Sequence, residues 1–148
     1  MKKILVLMLG FLLAIQGQLF AARTVTESLI ASTTLDADPT SASGTAKVSS
    51  ADKIAVFVTY DETEVGASVS AAVTVDVSWD GSTWLDASFY DYAGGATLQT
   101  TETISADGNY YLWFNRDIAA PYVRVVITGA NTDADDIAVV SAKLITQE

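Results

Sequence analysis

The sequence predicts an all-β protein, a single β-sandwich of about eight strands with jelly-roll or Greek-key connections. Short apolar runs alternate with turn-forming clusters of Gly, Asn and Asp, and no segment has a helical period. The clearest strand contains Ala71, Val73, Val75 and Val77, with polar residues mostly at the positions between them. Because successive side chains of a strand point to opposite faces, this spacing predicts one face in a core and one towards water.

Asp80-Gly81 follows this strand and predicts a hairpin, since glycine accepts the positive φ of a tight turn. A two-residue loop would place Val75 opposite Asp86, a polar partner for a core valine. A three-residue loop over 79–81 places Val75 opposite Leu85 instead. A slip of one residue reverses every face, so the register favours the three-residue loop.

The other predicted strands show weaker alternation, and turn residues separate them. Both faces of 53–60 are apolar, which predicts a central strand, whereas the threonine-rich 97–105 predicts an edge strand. Residues 31–45 are rich in Ser, Thr, Asp and Gly and are predicted to form a loop. The remaining predicted strands cover residues 23–30, 84–92, 109–115, 122–128 and 137–145.

Residues 1–22 are typical of a secretory signal peptide: Lys2 and Lys3 precede an apolar run that ends at small residues near Ala21 and Ala22. The prediction is a secreted protein, extracellular or periplasmic, with one domain at 23–148. The apolar run is shorter than the ~20 residues of a membrane span, so no membrane association is expected after cleavage.

Composition excludes several classes of function. Without Lys2 and Lys3 the chain keeps six basic and eighteen acidic residues, a balance that repels nucleic acid. The sequence has no histidine and no cysteine, so a Ser-His-Asp triad, the usual zinc sites and disulfides are all unavailable. No enzyme activity is predicted, and no cofactor other than calcium is considered.

Two motifs resemble a known fold family. The hairpin sequence at 78–84, SWDGSTW, is similar to the S-x-D-G-x-x-W hairpin of discoidin-like (galactose-binding-like) sandwiches, and 120–125, APYVRV, to the A-x-Y-V-R-V strand that follows it. The β-sandwich domains of virion and tail-fibre proteins have a similar pattern of strands and turns. The resemblance covers less than half of the chain and implies a sandwich scaffold; it carries over no binding residue.

Aromatic residues are the first candidate site. Trp84 is predicted on the Asp76 face, away from Val75, where it could stack on a sugar; packing over the sandwich edge is the alternative. The run at 110–114 must occupy both faces of a strand, so its aromatics serve either the core or a partner. The candidate glycan-binding residues are Trp84, Tyr90, Tyr92 and Trp113.

Carboxylates in turns are the second candidate site. Asp133, Asp135 and Asp136 could supply oxygen ligands to calcium, or could cap their own turn without any metal. No complete EF-hand loop occurs in the sequence.

The leading functional hypothesis is a secreted structural or interaction protein that self-assembles at the cell surface, for example as an extracellular filament. An N-terminal strand could complete the sheet of a neighbouring copy by main-chain hydrogen bonds. The candidate assembly residues are Thr24, Val25, Thr26, Leu29 and Ile30. The alternative is a carbohydrate-binding module with an exposed aromatic platform.

Overall fold

A computed structural model describes residues 23–48, 53–63, 68–91, 97–114 and 120–147, which form two antiparallel sheets packed as a sandwich. The predicted signal peptide, 1–22, lies outside the described residues. Within the described ranges no helix is long and apolar enough to cross a membrane. The strands are β1 Thr24–Leu35, β2 Ser41–Lys47, β3 Lys53–Thr63, β4 Ser70–Ser78, β5 Leu85–Asp86, β6 Phe89–Asp91, β7 Leu98–Gln99, β8 Thr101–Ile104, β9 Gly108–Trp113, β10 Tyr122–Ala130 and β11 Ile137–Gln147.

The chain crosses between the two sheets at most of its connections. Sheet A has the order β1-β11-β3-β9-β6-β7, and sheet B has the order β2-β10-β4-β5, with β8 also paired to β4. The predicted strand at 53–60 is central, as expected, because β3 lies between β11 and β9. The predicted strand at 97–105 divides into β7 and β8, which lie at edges of different sheets. The predicted strand at 84–92 likewise divides into β5 and β6.

The core lies between the inner faces of the two sheets and is built from alternate residues, as the sequence predicted. Ala71, Val73 and Val75 of β4 are fully buried, and Val77 packs against the same cluster. They meet Tyr60 of β3 and residues of β9, β10 and β11 in one continuous apolar cluster. Burying each valine or leucine side chain stabilises the folded state by about 1.5–3 kcal/mol. This cluster therefore holds the fold without disulfides.

The loop predicted at 31–45 is confirmed only at residues 36–40, and the prediction is wrong on both sides of them. β1 continues to Leu35, whose side chain is fully buried, and Ser41–Lys47 forms β2 at the edge of sheet B. The local preference of Ser and Gly for turns is overridden because β2 pairs with β10 along its whole length. The extra strand, with the two divisions noted above, explains why the structure has more strands than predicted.

Small residues on β2 let the two sheets approach closely at this edge. Ala42, Gly44 and Ala46 alternate on the inner face of β2. A Cβ atom at Gly44 would overlap the backbone carbonyl of Leu29 in β1. Glycine is therefore required at position 44 by close packing of two backbones, not by its φ angle.

The hairpin after β4 has a longer loop than predicted. Val77 lies opposite Leu85 and Asp76 opposite Asp86, so the loop covers 79–83 and the three-residue loop is wrong. The register differs from the predicted one by two residues, which preserves the faces. Leu85 is nevertheless 63% exposed, because β5 is a short edge strand. The prediction that Gly81 supplies a positive φ is correct, with φ at 74°.

Asp80 explains the longer loop. Its carboxylate accepts hydrogen bonds from the backbone N–H groups of Thr83 and Ser82 and from the hydroxyls of Ser78 and Thr83. These bonds favour the charged form and hold the pKa of Asp80 well below its ordinary value. The hydroxyl oxygen of Ser78 in turn accepts the N–H of Gly81 at 2.9 Å.

Candidate functional site

The outer face of sheet A carries a cluster of aromatic side chains. Trp113 and Tyr111 of β9 are each 36% exposed. Tyr90 of β6 lies directly opposite Trp113, with ring centroids 5.2 Å apart and planes tilted by 30°. Phe57 of β3 is opposite Tyr111 and is half-buried. Exposed aromatic clusters of this kind on a sheet face are typical of binding surfaces.

A concave site lies at one end of this face, with a cavity volume of about 330 Å³. The small side chain of Ala55 lies directly between Trp113 on β9 and Ile145 on β11. Larger neighbours on both sides of a methyl group leave a depression between them. We name this site the aromatic groove; it is lined by Thr24, Lys53, Ile54, Ala55, Tyr111, Trp113, Phe114, Ile145 and Gln147.

The aromatic groove combines an apolar floor with a polar rim. Thr24, Lys53 and Gln147 contribute a hydroxyl, an ammonium and an amide. Among its described lining residues Lys53 alone is charged, although the whole chain has a formal net charge of −10. The groove is therefore a locally non-acidic site on an acidic protein.

The structure separates the four predicted aromatic site residues. Trp113 and Tyr90 are brought together beside the aromatic groove. Trp84 lies on the outer face of sheet B, on the Asp76 face as predicted, and Tyr92 lies outside the described residues. Tyr111 belongs to the aromatic run predicted at 110–114 and lies on the face of Trp113, but it was not among the four candidate binding residues.

The Trp84 ring is covered by a charged network. The Arg124 guanidinium carbon is 4.5 Å from the ring centroid, a cation–π contact. Nε and Nη2 of Arg124 both donate to Asp76 Oδ2, at 2.9 and 2.5 Å. Asp76 is 5% exposed, so the arginine supplies the partner of a buried carboxylate. This arrangement gives Trp84 a scaffold role on sheet B.

The predicted assembly residues divide into two groups. Residues 24–28 pair regularly with β11, and Thr24 and Thr26 are exposed on the outer face. Register shifts follow between Ser28 and Ile30 and again between Ile30 and Thr33. Ile30 is buried and Leu29 packs against the core, so these two residues serve the fold. Val25 is half-buried on the regular segment.

The acidic turn after β10 is held by its own hydrogen bonds. Asp133 Oδ1 accepts the backbone N–H groups of Asp135 and Asp136 at 2.9 and 2.8 Å. Within the described part of the chain no group of three or more carboxylates is placed to hold a metal ion. Turn capping accounts for the position of Asp133, and calcium binding at this loop stays a prediction.

A second exposed apolar feature lies at the β4–β5 hairpin. Trp79 in the loop is 69% exposed, and Leu85 is exposed nearby along the chain. These two side chains place apolar surface at the tip of the hairpin, at the edge of sheet B.

Comparison with known proteins places the fold but not the function. No family model matches the chain, and no curated protein matches it in sequence. Among solved structures the chain is similar to the SPBc2 prophage-derived protein YomS, with 14% sequence identity and a TM-score of 0.59. The similarity covers 88% of this chain and 97% of YomS. It shows a shared β-rich fold, and the resemblance to discoidin-like domains stays a prediction.

Proposed function

We propose that this chain is a secreted, non-catalytic structural protein that associates with further copies through the outer edge of β1, at residues 24–28. The observation that carries this proposal is a regular strand segment at the edge of sheet A. Among the described residues, no strand pairs with the side of this segment that faces away from β11. We name residues 24–28 the edge segment.

Backbone geometry favours addition of a strand at the edge segment. An unpaired strand edge presents N–H and C=O groups in a row, and a strand from another copy satisfies them as well as an internal strand does. The bulges after Ser28 and the close contact of Leu29 with Gly44 interrupt the edge further along β1. Bulges oppose edge-to-edge pairing, so the edge segment is the part of β1 suited to a partner.

Composition and the sequence of residues 1–22 support the remaining parts of the proposal. A signal-like segment favours export, and the lack of histidine and cysteine disfavours the common catalytic and zinc chemistries. A strongly acidic chain disfavours nucleic acid as a partner. Self-assembly at the cell surface, as a filament subunit, is the proposed role.

The test introduces a charge into the edge segment of the chain beginning at Arg23. In Val25→Lys, an ammonium group lies on the inward side of the edge strand, a position that opposes strand addition. The matched control is Thr103→Lys, which places the same charge on exposed β8 at an edge of sheet B. Sedimentation velocity over a range of protein concentrations measures the association of each variant.

We expect the wild-type chain to form oligomers as its concentration rises. We expect the association constant of Val25→Lys to be lower by at least about tenfold. Thr103→Lys should behave as wild type. If Val25→Lys fails to fold, a shortened chain that begins at Glu27 replaces it. This chain lacks Thr24, Val25 and Thr26 and should also associate more weakly than wild type. A wild-type protein that is monomeric throughout, or equal association of Val25→Lys and wild type, would contradict the proposal.

A further inference from the structure

We propose that the aromatic groove binds a pyranose unit of a glycan, with Trp113 as the stacking surface. This site uses the outer face of sheet A, whereas the proposed self-association uses the backbone edge of β1. The two proposals therefore rest on different groups, although Thr24 belongs to both regions.

The first argument is the chemistry of the groove wall. A pyranose ring has an apolar face of axial C–H groups, which packs against an electron-rich aromatic ring. Trp113 offers such a ring, and Tyr90 supports it from the neighbouring strand at a centroid distance of 5.2 Å. Because Trp and Tyr have few rotatable bonds, little conformational entropy is lost when a ligand contacts them.

The second argument is the size and shape of the groove. A cavity volume of about 330 Å³ lies at the lower end of the range for small-molecule sites. The space therefore suits a small ligand such as a sugar unit. The methyl group of Ala55 forms the depression between Trp113 and Ile145, so a sugar ring can lie against the sheet instead of above it.

The third argument is the polar rim. Sugar hydroxyls each donate and accept hydrogen bonds, and the side chains of Thr24, Lys53 and Gln147 supply both donors and acceptors. An aliphatic ligand would make no use of these donors and acceptors, whereas a sugar can hydrogen-bond to all three side chains. Lys53 is the charged member of the described lining, so a sugar with a carboxylate should bind more tightly than its neutral analogue.

The test measures binding of neutral and uronic-acid oligosaccharides to the chain beginning at Arg23. A glycan array identifies ligands, and saturation-transfer NMR then follows the sugar protons in solution. We expect Trp113→Ala to weaken binding about tenfold or more. Ala55→Leu should abolish binding by filling the depression while leaving Trp113 in place, and Lys53→Gln should weaken the acidic sugar more than the neutral one.

The matched control is Trp79→Ala. Trp79 is more exposed than Trp113 but lies in the hairpin loop of sheet B. Loss of sugar binding in this variant would show that exposed aromatic side chains bind sugar nonspecifically, and would overturn the proposal. Binding that survives both Trp113→Ala and Ala55→Leu would also overturn it, as would no binding to any oligosaccharide at millimolar concentration. Loss of oligomers in Trp113→Ala, without any sugar binding by wild type, would show that another copy occupies the groove.

Val25→Lys separates this inference from the proposed self-association. If the wild-type protein self-associates, and the Val25→Lys variant is monomeric and still binds sugar, both proposals hold. If the wild-type protein is monomeric and binds sugar through Trp113, self-association fails and the glycan site remains.

Discussion

The two outer faces of the sandwich each carry a tryptophan, and the residues around the two rings differ. On sheet B, Trp84 lies beneath the Arg124 guanidinium, which is also bonded to the buried carboxylate of Asp76. On sheet A, Trp113 lies beside the small side chain of Ala55, and part of its ring is exposed. One ring completes a charged network, and the other forms the wall of a groove.

This difference shows that the neighbouring strand decides the role of a surface aromatic. The strand β10 contributes Arg124 to the face of Trp84, so a charged group covers that ring. The strand β3 contributes only the methyl group of Ala55 opposite Trp113. Sequence spacing places both rings on outer faces, but the covering residue comes from a strand distant in sequence.

The largest effect is expected from a change at the contact between the two sheets, because both outer faces depend on the packing of the sandwich. In Gly44→Ala the new Cβ atom meets the Leu29 carbonyl carbon and oxygen, and backbone atoms cannot move aside as a flexible side chain can. We expect a loss of about 3 kcal/mol in the free energy of unfolding, measured by urea denaturation. Gly108→Ala is the control, since its nearest contact is the Tyr110 ring at 3.6 Å. Equal stability of the two variants would show that β1 does not pack closely on β2.

The next effect concerns the network on sheet B. Arg124→Met leaves the buried Asp76 carboxylate without its cation, and we expect a loss of about 2 kcal/mol, reduced from that of a fully buried pair because Arg124 is partly exposed. Urea denaturation measures the loss. The double variant Asp76→Thr with Arg124→Met should recover most of it, since no unpaired charge remains. A single variant as stable as wild type would mean that the carboxylate is well solvated without Arg124.

A smaller effect distinguishes the two tryptophans directly. Trp84→Ala removes the cation–π contact and exposes the network, for an expected loss of about 1–2 kcal/mol. Trp113→Ala should cost less than about 1 kcal/mol, because part of that ring is already in water. Thermal unfolding followed by circular dichroism compares the two variants. The reverse order would mean that Trp113 is the structural ring and that the contrast between the faces is wrong.

Much of the fold follows from the sequence because period-two alternation reports faces reliably. The buried valines of β4, the central position of β3 and the face of Trp84 are all correct predictions. The errors occur where tertiary pairing outweighs local preference. β2 has the composition of a loop, and only pairing with β10 and packing of Gly44 against β1 make it a strand.

The candidate site was predicted in part, for a related reason. Aromatic residue type indicated Trp113 and Tyr90, and the predicted aromatic run at 110–114 already placed Tyr111 on the face of Trp113. The groove itself depends on Ala55, Lys53 and Gln147, which are brought beside Trp113 by the pairing of β9, β3 and β11. None of these three residues has an unusual local pattern, so strand order was needed to find them.

The smallest effect concerns Asp80, in the hairpin loop that leads from β4 towards Trp84, and it depends on pH. Backbone and hydroxyl donors hold its pKa well below the unfolded value of about 3.9, so the charged carboxylate stabilises the folded state at neutral pH. This contribution is fully present above pH ~4 and is lost as the pH falls below that value towards the lowered folded pKa. We therefore expect Asp80→Asn to be less stable than wild type at pH 7, with the difference narrowing below pH ~4 in urea denaturation. Asp36→Asn, which removes one carboxylate from an exposed loop, is the control for the change in net charge. A constant difference between Asp80→Asn and wild type across the acid range would mean that the amide changes the turn for steric reasons and that the carboxylate charge does not stabilise the hairpin beside Trp84.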